Sequence, residues 1–170
     1  VAMVWIDAHP DITLPGDPYP GYHAMAVTAC MGHGDAKIVA ELPAAFDPSK
    51  ILFVGLRNWE RGEIKARQHQ YGIKHLTPEE VAADSDALRA WLKSCGASKV
   101  VVHFDMDVLD PAEIVAAVGT DPDGMKIEAV IRVINDIAAE KELVGLTVAE
   151  PMPRTAIRLR DMLGRLPLLE

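Results

Sequence analysis

Residues 1–11 read VAMVWIDAHPD: six apolar positions, then Asp7, His9 and Asp11 at alternate places with one proline between them. VAMVWI has the continuous apolar character of a strand buried on both faces of a parallel sheet. Such a strand ordinarily turns on Gly, Asn or Pro. This one turns on two carboxylates and an imidazole, and burying those groups is costly unless something pairs with them.

Similar apolar runs recur at ILFVGL (51–56), SKVVVHF (98–104) and ELVGLTV (142–148), with a shorter one at GIKHL (72–76). Helical patterns lie between and after them, at 60–71, 84–95, 125–141 and 154–165. A short helix opens at Pro78, with Thr77 as N-cap and Glu80 completing a capping box. Residues 12–22 (ITLPGDPYPGY) are rich in Pro and Gly and read as a loop. Strands alternating with helices imply an α/β sandwich around a mainly parallel sheet. No internal repeat interrupts it, and 170 residues suit a single domain over 1–170.

The net charge of −8 argues against nucleic acid as a partner, which would call for a basic stripe. No apolar run has the length of a membrane helix, and no signal-peptide pattern is present. Cys30 and Cys95 lie far apart without a CxxC and read as reduced thiols, which points to the cytoplasm. The chain opens inside a strand, without Met, so a portion of a longer protein is expected.

Ligands of open parallel sheets bind beyond the carboxyl ends of the strands. There the sequence places Asp7, His9 and Asp11 after the first run, and Arg57 and Glu60 after the second. Asp105, Asp107 and Asp110 follow the run at 98–104, and Glu150 follows the last. Residues two apart on an extended segment face the same side, so Asp7 with His9, and Asp105 with Asp107, can aim at one point. So many carboxylates in one place call for cations. Oxygen-rich sites with some imidazole suit Mn²⁺ or Mg²⁺ better than zinc. Two metals sharing carboxylates can lower the pKa of a bridging water and make it a nucleophile. Asp110-Pro111 alone reads as a turn.

DAHPD (7–11), FDMDVLDP (104–111) and EPMP (150–153), in that order and spacing, resemble the arginase/agmatinase (ureohydrolase) family. ILFVGLR (51–57) and YGIKHLT (71–77) extend the resemblance to nearly the whole chain. The resemblance implies a three-layer α/β/α fold whose early strands are missing here, and a pair of manganese ions. It implies Asp7 and Asp105 as bridging carboxylates, His9 and Asp107 as terminal ligands of one manganese, and Asp11 as a ligand of the other. Asp11 would also take and pass on the proton of the bridging hydroxide that attacks the guanidinium carbon. His23, in YHAM, corresponds to a proton-shuttling loop histidine, and Glu150 to the residue that pairs with the guanidinium. Thr13, Glu60 and Thr120 fall near positions lining the outer substrate pocket.

The implied activity is hydrolysis of a guanidino compound, arginine, agmatine or similar, with release of urea. The implied assembly is a homo-oligomer, a trimer or hexamer. The family carries a further histidine ligand in a Gly-Gly-Asp-His type motif upstream of the first strand, and this chain has no such motif. Two alternatives follow: a formimidoylglutamate-type hydrolase, or a catalytically silent ureohydrolase-like subunit with an incomplete metal site. A deacetylase-like hydrolase would use one zinc and would not need Asp11 together with Asp107. His33, His69 and His75 lack a ligand context. His103 shares a strand face with Asp105 but is expected to lie deeper, as a core or supporting residue.

Overall fold

The computed structural model of the chain describes residues 1–152 and 156–169. Its sheet is built from β1 (Ala2–Ile6), β2 (Ile51–Val54), β3 (Lys74–Leu76), β4 (Lys99–Asp105) and β5 (Glu142–Ala149). All neighbouring strands pair in parallel, in the spatial order β3-β2-β1-β4-β5. The helices are α1 (Ala26–Cys30), α2 (Ala36–Val39), α3 (Gly62–Tyr71), α4 (Asp86–Ser94), α5 (Ile127–Glu140) and α6 (Ala156–Leu163).

Alternation along β1 explains the layers. Ala2, Val4 and Ile6 enter one apolar core with residues of α4, α5 and α6. Met3 and Trp5 enter a second core on the opposite face, with Val27 of α1 and Ile64 of α3. A sheet apolar on both faces must be covered on both. The result is the expected α/β/α sandwich.

The five expected strands all form, slightly shortened or shifted at their ends. β5 differs in environment. It was read as buried on both faces, yet its residues are half-buried or exposed. It pairs only with β4 among the described residues, and an edge strand has one side without a neighbour to shield it. The expected loop over 12–22 contains no helix or strand. α1 and α2 follow it without a sequence expectation, because both are too short to show a helical period. The Thr77–Glu80 capping box forms with both reciprocal bonds, at 2.8 and 3.4 Å, but opens a single 3-10 turn. Arg154 and Thr155 of the expected last helix, and Pro153 of EPMP, lie outside the described residues.

The chain runs from β1 outward to β2 and β3, then returns to place β4 on the other side of β1. The strand order therefore reverses between β1 and β4. That reversal opens a crevice at the carboxyl ends of these two strands, where α/β sheets bind ligands. Ile6 is level with Phe104, so Asp7 and Asp105 leave the sheet side by side at the switch point.

Candidate metal centre

Both motifs turn by the same device. The Asp7 carboxylate accepts from the His9 amide at 2.7 Å, and the Asp105 carboxylate accepts from the Asp107 amide at 2.8 Å. An aspartate that bonds the backbone two residues on makes a tight turn without glycine. This changes the expected geometry: Asp107 reaches the cluster from a 3-10 turn, Met106–Val108, and not from an extended strand. Long-range bonds then join the motifs. Asp107 accepts from the Ala8 amide at 3.1 Å and lies 2.8 Å from His9 Nδ1. The other ring nitrogen of His9 lies 3.2 Å from Asp121.

Asp7, Asp105 and Asp107 are each less than 10% exposed. Trp5 Nε1 donates to Asp7 at 3.0 Å. Ligand atoms of Asp7, His9 and Asp107 lie within 4.8 Å of one another, and so do those of Asp7, His103 and Asp105. Asp7 belongs to both groups.

Burial, followed by the neighbouring carboxylate charges, pushes Asp105 up to about 8. Burial likewise carries Asp7 up to about 7, against the hydrogen bond from His9. Asp11 is raised well above the usual range by burial and by the charge of Asp7. His9 behaves oppositely: burial opposes its cationic form, but hydrogen bonds to Asp107 and Asp7 prevail and lift it to about 11. Asp107 is the exception, lowered despite its burial by the hydrogen bond and charge of His9 and by the Ala8 amide. Asp7, Asp11 and Asp105 thus sit in a space that favours their neutral forms and contains too little positive charge. A divalent cation satisfies that imbalance.

These groups line a cleft of about 480 Å³. Asp11, Thr13, His23, Glu60 and Glu150 line it too, so nine of the ten residues anticipated from sequence share one cavity. Thr120 does not line it; it is exposed beside the lining residues Gly119 and Asp121. Thr13 is buried, with its hydroxyl donating to the Ala24 carbonyl at 2.6 Å. His23 is exposed at the rim, its Nε2 3.1 Å from the Tyr19 hydroxyl. Asp11, Glu60 and Glu150 adopt left-handed backbone, with φ of 48°, 58° and 58°.

A model of the arginase family matches residues 1–161. The chain belongs to the arginase family. It is 29% identical over 159 residues to the arginase of Entamoeba histolytica, covering 91% of this chain and 53% of that protein. It is 27% identical over 167 residues to the arginase of Saccharomyces cerevisiae, covering 91% and 50%. The crystal structure of the Entamoeba histolytica arginase in complex with L-ornithine superposes with a TM-score of 0.80 at 24% identity, covering 90% of this chain and 53% of that one. A cold-adapted arginase from the yeast Glaciozyma antarctica gives 0.81 at 22% identity, covering 99% and 60%. The chain spans about half the length of the curated relatives it matches.

Two further polar residues, His103 and Asp121, line this arginase-family cleft without being among the site residues that the sequence points to. His103 was expected to lie deeper, yet it lines the cleft, because its ring stacks on Trp5 at 3.7 Å and stays beside Asp7. Asp121 belongs to neither motif. It is held by the Asn58 side chain at 2.8 Å, and Arg57 donates to its carbonyl at 2.8 Å. Arg57 also donates to the carbonyls of Gly55, Asp107, Val108 and Pro122. It thus ties the Asp107 turn to the Asp121 loop. Asn58 and Asp121 are polar residues at loop positions, which alone distinguish nothing.

Proposed function

We propose that this chain carries the metal-binding and guanidinium-recognising part of a manganese-dependent hydrolase that releases urea from a guanidino compound. The observation that carries the reading is Asp7, buried at the switch point and common to two ligand groups. Membership of the arginase family supports it, and the curated relatives' name favours arginine among guanidino compounds.

The donor set fits two divalent cations: carboxylates predominate, imidazole is present, and the raised proton affinities of Asp7 and Asp105 mark a deficit of positive charge. Asp7, His9, Asp105 and Asp107 would hold them, and Asp11, which lines the same cleft, would join them. Bound there, two such ions supply Lewis acidity that makes water nucleophilic near neutral pH.

The remaining work falls to the chain. Glu150, at the mouth of the cleft, accepts hydrogen bonds from the planar guanidinium and orients its carbon toward the carboxylate cluster. Asp11 takes a proton at its carboxylate and passes it to the leaving amine. His23, at the rim beside Tyr19, exchanges protons between the cleft and solvent through its ring. Thr13 and Glu60 shape the outer pocket. The protein acts as one arginase-like domain and assembles as a homo-oligomer.

The test is urea release by the intact protein, loaded with Mn²⁺, over a panel containing arginine, agmatine and other guanidino acids. Formimidoylglutamate enters the panel with its own product assay. Urea from one guanidino compound, lost on Asp7→Asn, is expected. Failure with every compound despite bound manganese would overturn the enzymatic reading.

A further inference from the structure

His103 lines the same cleft as the carboxylates. On β4 it is two residues before Asp105, and across the sheet it is level with Trp5, two residues before Asp7. Trp5, Asp7, His103 and Asp105 thus form a two-by-two block at the switch point. One ring nitrogen of His103 and one oxygen each of Asp7 and Asp105 lie within 4.8 Å of one another, the compass of a single coordination sphere.

The ring is held from two directions. Its face stacks on Trp5, with centroids 3.7 Å apart and planes 16° from parallel. Its Nδ1 lies 2.8 Å from Thr147 Oγ1 on the neighbouring strand. A metal-ligating histidine characteristically engages its second nitrogen with such a partner, which sets both tautomer and orientation. In the tautomer whose Nδ1–H donates to Thr147 Oγ1, Nε2 keeps its lone pair for a cation. On the other flank of Asp7, His9 stands with Asp107 in the second group.

We propose that His103 is a metal ligand, so that the centre has two positions of like composition. His9 and Asp107 serve one, His103 and Asp105 serve the other, and Asp7 is common to both. This rests on the metal-centre reading above and adds a ligand from β4 to it. A second imidazole also raises the centre's preference for Co²⁺, Ni²⁺ or Zn²⁺ relative to an all-oxygen site.

The test is Mn²⁺ binding to the intact, chelator-stripped protein by titration calorimetry. His103→Phe keeps a ring to stack on Trp5 but has no nitrogen. Wild type is expected to bind two ions. His103→Phe should bind one, or bind the second at least about 100-fold more weakly, beyond the loss typical of supporting residues. Thr147→Val leaves His103 in place and covers the case in which His103→Phe does not fold. It should weaken the second ion by about 10–100-fold. Two ions bound with wild-type affinity by either variant overturns the assignment while leaving the metal centre standing. No ion bound by wild type overturns both.

Discussion

The Trp5 indole donates its N–H to the Asp7 carboxylate at 3.0 Å while its ring face lies against His103. A residue of the apolar strand thereby orients the most buried carboxylate of the cleft. Trp5→Phe keeps an aromatic ring and removes the donor. It should cost about 1–3 kcal/mol of stability, read as a denaturant midpoint, because a buried acceptor loses its partner. Manganese affinity should fall by about 10–100-fold, as for other groups that orient ligands.

Proton uptake by the cleft gives a pH signature. Asp7 and Asp105 bind protons more tightly folded, at about 7 and 8, than at their usual 3.8. Their contribution to stability is complete below about 3.8 and is lost as pH rises through 7 and 8. His9, raised from 6.5 to about 11, loses its contribution above 6.5 in the same direction. His103, held down at about 4 by burial, acts oppositely, but its gain is complete by 6.5. Between pH 6.5 and 8 the metal-free protein should therefore show a falling Tm. With saturating Mn²⁺ the fall should vanish or reverse, because the ligands must shed protons to bind. A rising Tm in chelator over that window would contradict the electrostatics described for the cleft.

Arg57 donates to five backbone carbonyls and is itself half-buried. Arg57→Met should destabilise by about 3 kcal/mol, since several acceptors lose a charged donor together. The clamp joins the Asp107 turn to the Asp121 loop, so manganese affinity should drop along with stability. Arg57→Lys restores the charge without the planar fork and should recover only part of either loss.

Gly55 has a φ of +84°, and a Cβ there would collide with Val108 Cγ2 and lie 3.0 Å from Met125 Sδ. Gly55→Ala combines backbone strain with a clash beneath the Asp107 turn. A loss of about 3 kcal/mol is expected in chemical denaturation. Gly72→Ala tests the contribution of strain alone. Its φ is +69° but the space around it is open, and about 1 kcal/mol should be lost.

The strands were legible because a buried parallel strand writes itself as an unbroken apolar run, and β1, β2 and β4 do so. β5 has the same kind of run but lies at an edge, and pairing partners are not encoded locally. The carboxylate clusters were legible because polar groups directly after such runs need a reason. Asp121 and the clamp made by Arg57 were not, since both depend on bringing residues about 50–65 positions apart into contact. Thr120 was placed one residue from the cleft lining, which is the precision a loop without periodicity allows. His103 was assigned to the correct strand face, but its place in the cleft lining was not foreseen. The stack on Trp5 and the bond with Thr147 hold its ring, and both depend on strand neighbours that the local sequence does not encode.

The left-handed backbone of Asp11, Glu60 and Glu150 sets stability against the activity proposed for the cleft. Aspartate tolerates that conformation better than glutamate, and each such residue costs roughly 1–3 kcal/mol that the surrounding fold must offset. Glycine at 60 or 150 would relieve the strain while removing a carboxylate from the cleft mouth. A screen for thermostable variants should therefore accumulate Gly or Asn at these positions. A screen for turnover should reject the same substitutions.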